Sequence, residues 1–244
     1  MQDCFYPFTD HATPIWLRRG VVATQVDEQW RARKERNWQT LQASRAITEN
    51  ATLLHVSHAA DSTVTVEPSI TYRDIVGVRA CGTPHSAPYR ALSALAVVIT
   101  SDGYWLLFER DSGDWPHSFE CPGGFVRAAT PPATVDEFIN TRLDKEVALL
   151  TPQTQWCAGY YALGSILEHM YVYQVTVKES AAQAIELYGS AVLALSPTEF
   201  PAYLAGSLQA RLPLHAPSQT ILTALLATAK EERQAVPAPL VASV

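Results

Sequence analysis

The sequence predicts an α+β sandwich with a mixed sheet at its core, preceded by a smaller, mainly β amino-terminal region that carries one helix. Three observations lead there. Runs of β-like residues come in hairpin-like pairs, with helical patterns placed after them and not in strict alternation. One segment, TVDEFINTRLDKEVALL, spaces Val135, Ile139, Leu143 and Val147 four apart, the buried stripe of a helix. Finally, 244 residues with 48% hydrophobic and 17% charged content suffice for a sizeable core of a globular chain.

In order along the chain, FYPFTDH and IWLRRGVVAT predict a strand or two before residue 25. The stretch 26–44 predicts a helix, because Trp30, Trp38 and Leu41 fall on one face and the remainder is charged or polar. Its basic cluster, Arg31, Arg33, Lys34 and Arg36, reads either as a solvated face or as a phosphate or RNA patch. TLLHVSH and STVTVEP alternate in strand fashion around an Ala-Ala-Asp-Ser turn. ITYRDIVGVRA then leads to a loop with Gly82, Pro84 and Pro88, which sets a domain boundary near residue 84.

The second half reads ALSALAVVITSDGYWLLFER as a hairpin closed by Ser-Asp-Gly, and SFECPGG as a strand ending in a Gly-Gly bend. Thr134 is the expected N-cap of the acidic helix, with Asp136 and Glu137 in its first turn and Pro152 beyond its end. WCAGYYALG and LEHMYVYQVTV are strands, SAVLALSPTEFPAYLAG is a strand and a short helix started by Ser196-Pro197, and SQTILTALLATAKEER is a terminal helix. The expected organisation is therefore 1–84, 85–230 and a tail at 231–244.

Composition narrows function only coarsely. A formal charge of −6 argues against a general nucleic-acid binder, which needs a basic face. The four cysteines are scattered without a CxxC pair, so neither a zinc site nor a disulfide framework is expected. No signal-peptide pattern or long apolar run is found, so a cytoplasmic protein with no membrane contact is expected.

The segment carrying chemistry is WPHSFECPGGFVRAATPPATVDEFINTRLDKEVALL. Pro122, Gly123 and Gly124 form a bend that lets backbone approach a ligand. The helix after it can present carboxylates at i and i+4 on one face. This order, with the aromatic approach of Trp115 and Phe119, resembles the Nudix superfamily and its α/β/α sandwich. The resemblance implies carboxylates that hold Mg²⁺ or Mn²⁺ against a diphosphate. Yet Thr130 stands six past Gly124, where a Glu is expected, and the TPP loop is too long. At the far end Thr141 stands for the Arg, Arg142 and Lys145 for acids, and Ala148 for the Gly, leaving Glu146 alone.

That departure has an electrostatic consequence. Arg142 and Glu146 are four apart and can pair where a cation would sit. At an effective dielectric near 20, one unit charge about 4 Å away is worth on the order of 4 kcal/mol. No cofactor is therefore expected, and Mg or Mn enters only if other acids take over. The candidate acids are Glu120, Glu137, Glu146 and Glu168, the last placed in a loop that could supply a base; Asp136 and Asp144 also lie on the helix. His169 is read as a strand surface residue.

Trp30, Lys34 and Asn37, followed by Thr71, Tyr72, Arg73, Asp74 and Gly77, resemble the amino-terminal region of the UDP-glucose and UDP-galactose diphosphatase subgroup. The candidate ligand-binding residues are then Arg73, Arg110, Gly123, Gly124, Arg127 and Trp115, with Trp105 a second aromatic able to stack on a base. Arg73 and Asp74 read equally as a salt bridge that locks the two halves. Three functions follow as expectations. The first is a fold that binds a nucleotide-like ligand with hydrolysis weakened or lost. The second is an active diphosphate hydrolase with relocated acids, and the third is an RNA-associated scaffold.

Overall fold

The computed structural model describes residues 4–8, 14–20, 35–36, 38–40, 42–43, 50–60, 62–79, 90–111, 116–163, 167–208 and 210–235. The segment Ala91–Ile99 (β5) organises everything else. Its residues are apolar almost without interruption and buried on both faces, as a strand covered on two sides requires. On one edge it pairs in parallel with Glu168–Val177 (β10), which pairs antiparallel with Pro152–Leu163 (β9) and, through it, with Cys4–Pro7 (β1).

Its other edge is shared in turn by Thr52–Ala60 (β3), Gly123–Phe125 (β8) and Trp105–Arg110 (β6). Beyond β3 come Thr63–Thr71 (β4) and Trp16–Arg19 (β2). β6 also carries Ser118–Glu120 (β7) and Val192–Leu195 (β11). Parallel and antiparallel pairs coexist, so the sheet is mixed, and strands from before and after residue 84 belong to it.

Helices cover both faces. Val135–Glu146 (written α2 below, after Tyr72–Arg79 as α1) lays Val135, Ile139 and Leu143 onto the face formed by Leu92, Ala94, Tyr171, Tyr173 and Val175. Burying each such aliphatic side chain contributes about 1.5–3 kcal/mol. Ile15, Leu54, Val64 and Val66 join the same cluster, so the amino-terminal strands share this core. The opposite face, with Leu95, Val97, Met170 and Val172, is covered by Phe200–Leu204 and by Ala216–Ala235, through Phe200, Ile221 and Leu222.

Thr134 caps α2 as its type and position predict, accepting from the Glu137 N–H at 3.1 Å, while the Glu137 carboxylate accepts from the Ala133 N–H at 2.7 Å. Two helices differ from the sequence reading. The loop expected at Gly82, Pro84 and Pro88 lies outside the described residues, but the segment that leads to it, given no helix from the sequence, is helical over Tyr72–Arg79. There the Asp74 carboxylate accepts from the Thr71 N–H at 2.7 Å, and the Thr71 hydroxyl accepts from the Asp74 N–H at 3.3 Å. Ala181–Tyr188 (α3) starts from a reciprocal Ser180–Gln183 capping box. Residues 35–36, 38–40 and 42–43 are helical and Trp38 is buried, whereas Trp30, Arg31, Arg33, Lys34, Asn37 and Leu41 lie outside the described residues.

A paired-charge cleft as the candidate functional site

Three elements converge beside the Gly-Gly bend. β6 ends in Arg110, β7 ends in Glu120, and the C-terminal part of α2 carries Arg142 and Glu146. Gly123 and Gly124 adopt φ of +153° and +142°, a region that favours glycine. A β-carbon at Gly123 would lie 2.6 Å from Leu95 Cα, so only glycine lets β8 approach β5 this closely. This close seating turns both polar groups of Gly123 toward α2. Its N–H donates to Glu146 Oε2 at 2.9 Å, and its carbonyl accepts from Arg142 Nη2 at 2.5 Å.

The charges pair off. Arg142 Nη2 bridges to Glu146 Oε1, one helical turn away. Arg110 Nη1 donates to Glu120 Oε2 at 2.5 Å, and His215 Nδ1 lies 3.8 Å from the same oxygen. The two pairs also sense one another. Burial pushes the Glu120 carboxyl above the ordinary range against the pull of Arg110, with the negative charge of Glu146 adding to the rise and Arg142 opposing it. Burial likewise raises Glu146, opposed by Arg142, by the Gly123 N–H and by Arg110. The result is a partly open network of two guanidinium and two carboxylate groups with no net charge. A divalent cation placed at either carboxylate would face a guanidinium already bonded there, so this donor set fits such an ion poorly.

The other expected residues lie elsewhere. Glu137 is nine residues from Glu146, half a turn out of phase and about 13 Å along the helix, and it serves the helix start. Asp136, in the same first turn, accepts from the Ile15 N–H at 3.0 Å. Glu168 is not in a loop: it opens β10, is buried, and accepts from Ser93 Oγ at 2.5 Å. His169 is not on the surface either. Strand alternation points it inward at 7% exposure, where it stacks on Tyr160 at 4.5 Å between centroids.

Arg73 pairs with Glu35 while Asp74 serves the start of its own helix, so the two do not bridge each other. Arg127 is exposed just past β8, bridging in backbone to Leu53. Trp105 packs edge-on against Phe200 in the core and cannot stack on a base. Trp115 lies outside the described residues.

Sequence reasoning overlooked His215 and Ser218. Ser218 Oγ accepts from the Cys121 N–H at 3.0 Å and lies 3.3 Å from His215 Nδ1, tying the terminal helix to the strand that enters the bend. A histidine just before the start of a helix gives no spacing signal, so only the fold reveals it. Among the described residues no three His, Cys, Asp or Glu side chains are grouped to hold a metal, and no helix is long and apolar enough to cross a membrane.

No protein-family profile and no curated protein matches the sequence. Solved structures do. DR0079 from Deinococcus radiodurans shares 13% identity at a TM-score of 0.40, over 55% of this chain and 81% of that one. NrtR from Shewanella oneidensis, solved with a 27mer DNA, shares 14% at 0.36, over 59% and 63%. RenU, a Nudix hydrolase from M. smegmatis, shares 15% at 0.31, over 60% and 86%. Nudix hydrolases are thus among the structures this chain is similar to. At these scores the likeness assigns neither a family nor an activity.

Proposed function

We propose that the cleft beside the Gly-Gly bend binds a nucleotide or a nucleoside-diphosphate-linked ligand through its arginines, without metal-dependent hydrolysis of the family type. One observation carries this reading: the Arg142 guanidinium holds both the Glu146 carboxylate and the Gly123 carbonyl, the oxygens that converge beside the bend. Guanidinium groups suit phosphate oxygens, and Arg110 supplies a second one in the same network.

Titration calorimetry with Mg²⁺ alone, and then with a panel of nucleoside diphosphate derivatives in EDTA, tests the reading. The expected result is no Mg²⁺ heat and ligand binding that Arg142→Gln weakens at least tenfold. Release of a nucleoside monophosphate that Glu146→Gln abolishes would overturn it.

A second reading, an active hydrolase, has one observation in its favour. Glu120 and Glu146 come close enough for one charge to raise the other's pKa. That reading needs both arginines to swing away, and it does without Glu137, which the helix holds too far off. Under it, Mn²⁺ would bind and Glu120→Gln would remove the ion.

A further inference from the structure

The two carboxylates of the cleft are bonded to the same groups that an anionic ligand must use. Arg142 Nη2 is shared between Glu146 and Gly123, and Arg110 Nη1 is committed to Glu120. An incoming phosphoryl group therefore exchanges one anion for another at a guanidinium and gains little. We propose that Glu120 and Glu146 are built-in competitors that restrict the cleft to anions with two linked phosphoryl groups, which displace both carboxylates together. The inference rests on the ligand-binding reading above and adds how the ligand is chosen.

The geometry supports a paired exchange. The two pairs flank one bend: Glu120 ends β7 just before Gly123, whose N–H and carbonyl hold Glu146 and Arg142, and Arg110 and Arg142 each act on the other pair's carboxylate as well. Once one phosphoryl group has taken one arginine, the second is delivered within the same molecule at high effective concentration. A single phosphate has no such second step. The displaced carboxylates have somewhere to go, because Glu120 and Glu146 keep 21% and 28% of their side-chain surface in solvent. Glu146 also retains the Gly123 N–H as a partner, so its departure from Arg142 does not leave that donor unbonded.

The test measures the affinity of inorganic phosphate and inorganic pyrophosphate, in EDTA, for the full chain and for E120Q, E146Q and the double variant. Glutamine keeps the shape and an acceptor oxygen for Gly123, and the two sites are substituted independently, so a folding fault in one leaves the other informative. D144N, which removes a charge from the exposed side of the same helix, controls for general repulsion.

The unsubstituted chain should prefer pyrophosphate. Each single variant should bind phosphate about fivefold tighter, and the double variant about twentyfold, narrowing the preference, while D144N shifts both by less than about twofold. Glutamine variants that leave the preference unchanged, that bind both anions more weakly, or that match D144N would overturn the proposal. Failure of every nucleoside diphosphate and both inorganic anions to bind any of these proteins removes the ligand-binding reading itself. Binding without a change in preference removes only the competition.

Discussion

The cleft at the Gly-Gly bend and the inner face of β9 and β10 lie on the same sheet but treat polar groups in opposite ways. In the cleft the groups are charged, partly open to solvent, and each carboxylate has a guanidinium. On the strand face the groups are neutral and closed in. His169 and Tyr171, at 7% and 0% exposure, leave Nε2 and the phenol oxygen without a hydrogen bond among the described residues. Leaving a buried polar group unbonded costs about 1–3 kcal/mol, whereas a charge left alone costs more. The difference shows where this fold tolerates deficits: on the strand face a neutral hydroxyl goes wholly unbonded, whereas in the cleft Arg142 leaves only its Nε without a hydrogen bond among the described residues and still pairs its charge with Glu146.

The largest effect should come from breaking the hinge of the cleft. Gly123→Ala places a methyl 2.6 Å from Leu95 Cα at a φ of +153°, which forces β8 off β5. Both Gly123 bonds to α2 would shift with it. Urea denaturation should show a loss of about 3 kcal/mol or more. A loss under about 1 kcal/mol would mean that the charges hold together without the glycine.

Next is the buried imidazole, which sharpens the contrast from the neutral side. Burial lowers the His169 pKa from 6.5 to about 4, so the ring is neutral when folded and charged on unfolding in that interval. Its contribution is complete above about pH 6.5, declines as pH falls, and is gone near 4. The total is on the order of 3 kcal/mol. His169→Phe keeps the stack on Tyr160 and should lose that much less stability than the unsubstituted chain between pH 7 and 4. The raised carboxyls of Glu120 and Glu146 act with the opposite sign, gaining stability as pH falls, but they are common to both proteins and drop out of the difference. Parallel stability curves for the two proteins would refute the assignment.

Much of this architecture is legible in the residues. The four-residue spacing of Val135, Ile139, Leu143 and Val147, the Thr134 cap and the hairpin at Ser101–Gly103 all act over a few neighbours, and local rules suffice for them. The mixed α+β sheet follows from the same patterns. The placement of Glu168 and His169 did not, because whether a strand's first residues face solvent depends on what packs over them from distant segments, here Ser93 and Tyr160. His215 was invisible for the same reason, since it meets Glu120 only through tertiary folding. Glu137 could have been set aside from sequence alone, because nine helical residues place it on the face opposite Glu146. α1 and α3 were overlooked although their starts, Thr71–Asp74 and Ser180–Gln183, carry side chains able to cap a helix.

The smallest effect tests the strand face group by group. The Tyr171 hydroxyl has no partner, whereas the Tyr203 hydroxyl donates to the Leu212 carbonyl at 3.0 Å. Removing an unbonded buried hydroxyl also removes its desolvation cost, so Tyr171→Phe should be neutral or stabilising by up to about 1 kcal/mol. Tyr203→Phe strands a carbonyl and should cost about 1 kcal/mol, as is usual for one hydrogen bond. The two substitutions delete the same atom, so differences in the unfolded chain largely cancel between them. A Tyr171→Phe loss as large as that at Tyr203 would mean that something bonds to the hydroxyl after all, and the contrast between the neutral face and the charge-paired cleft would then fall.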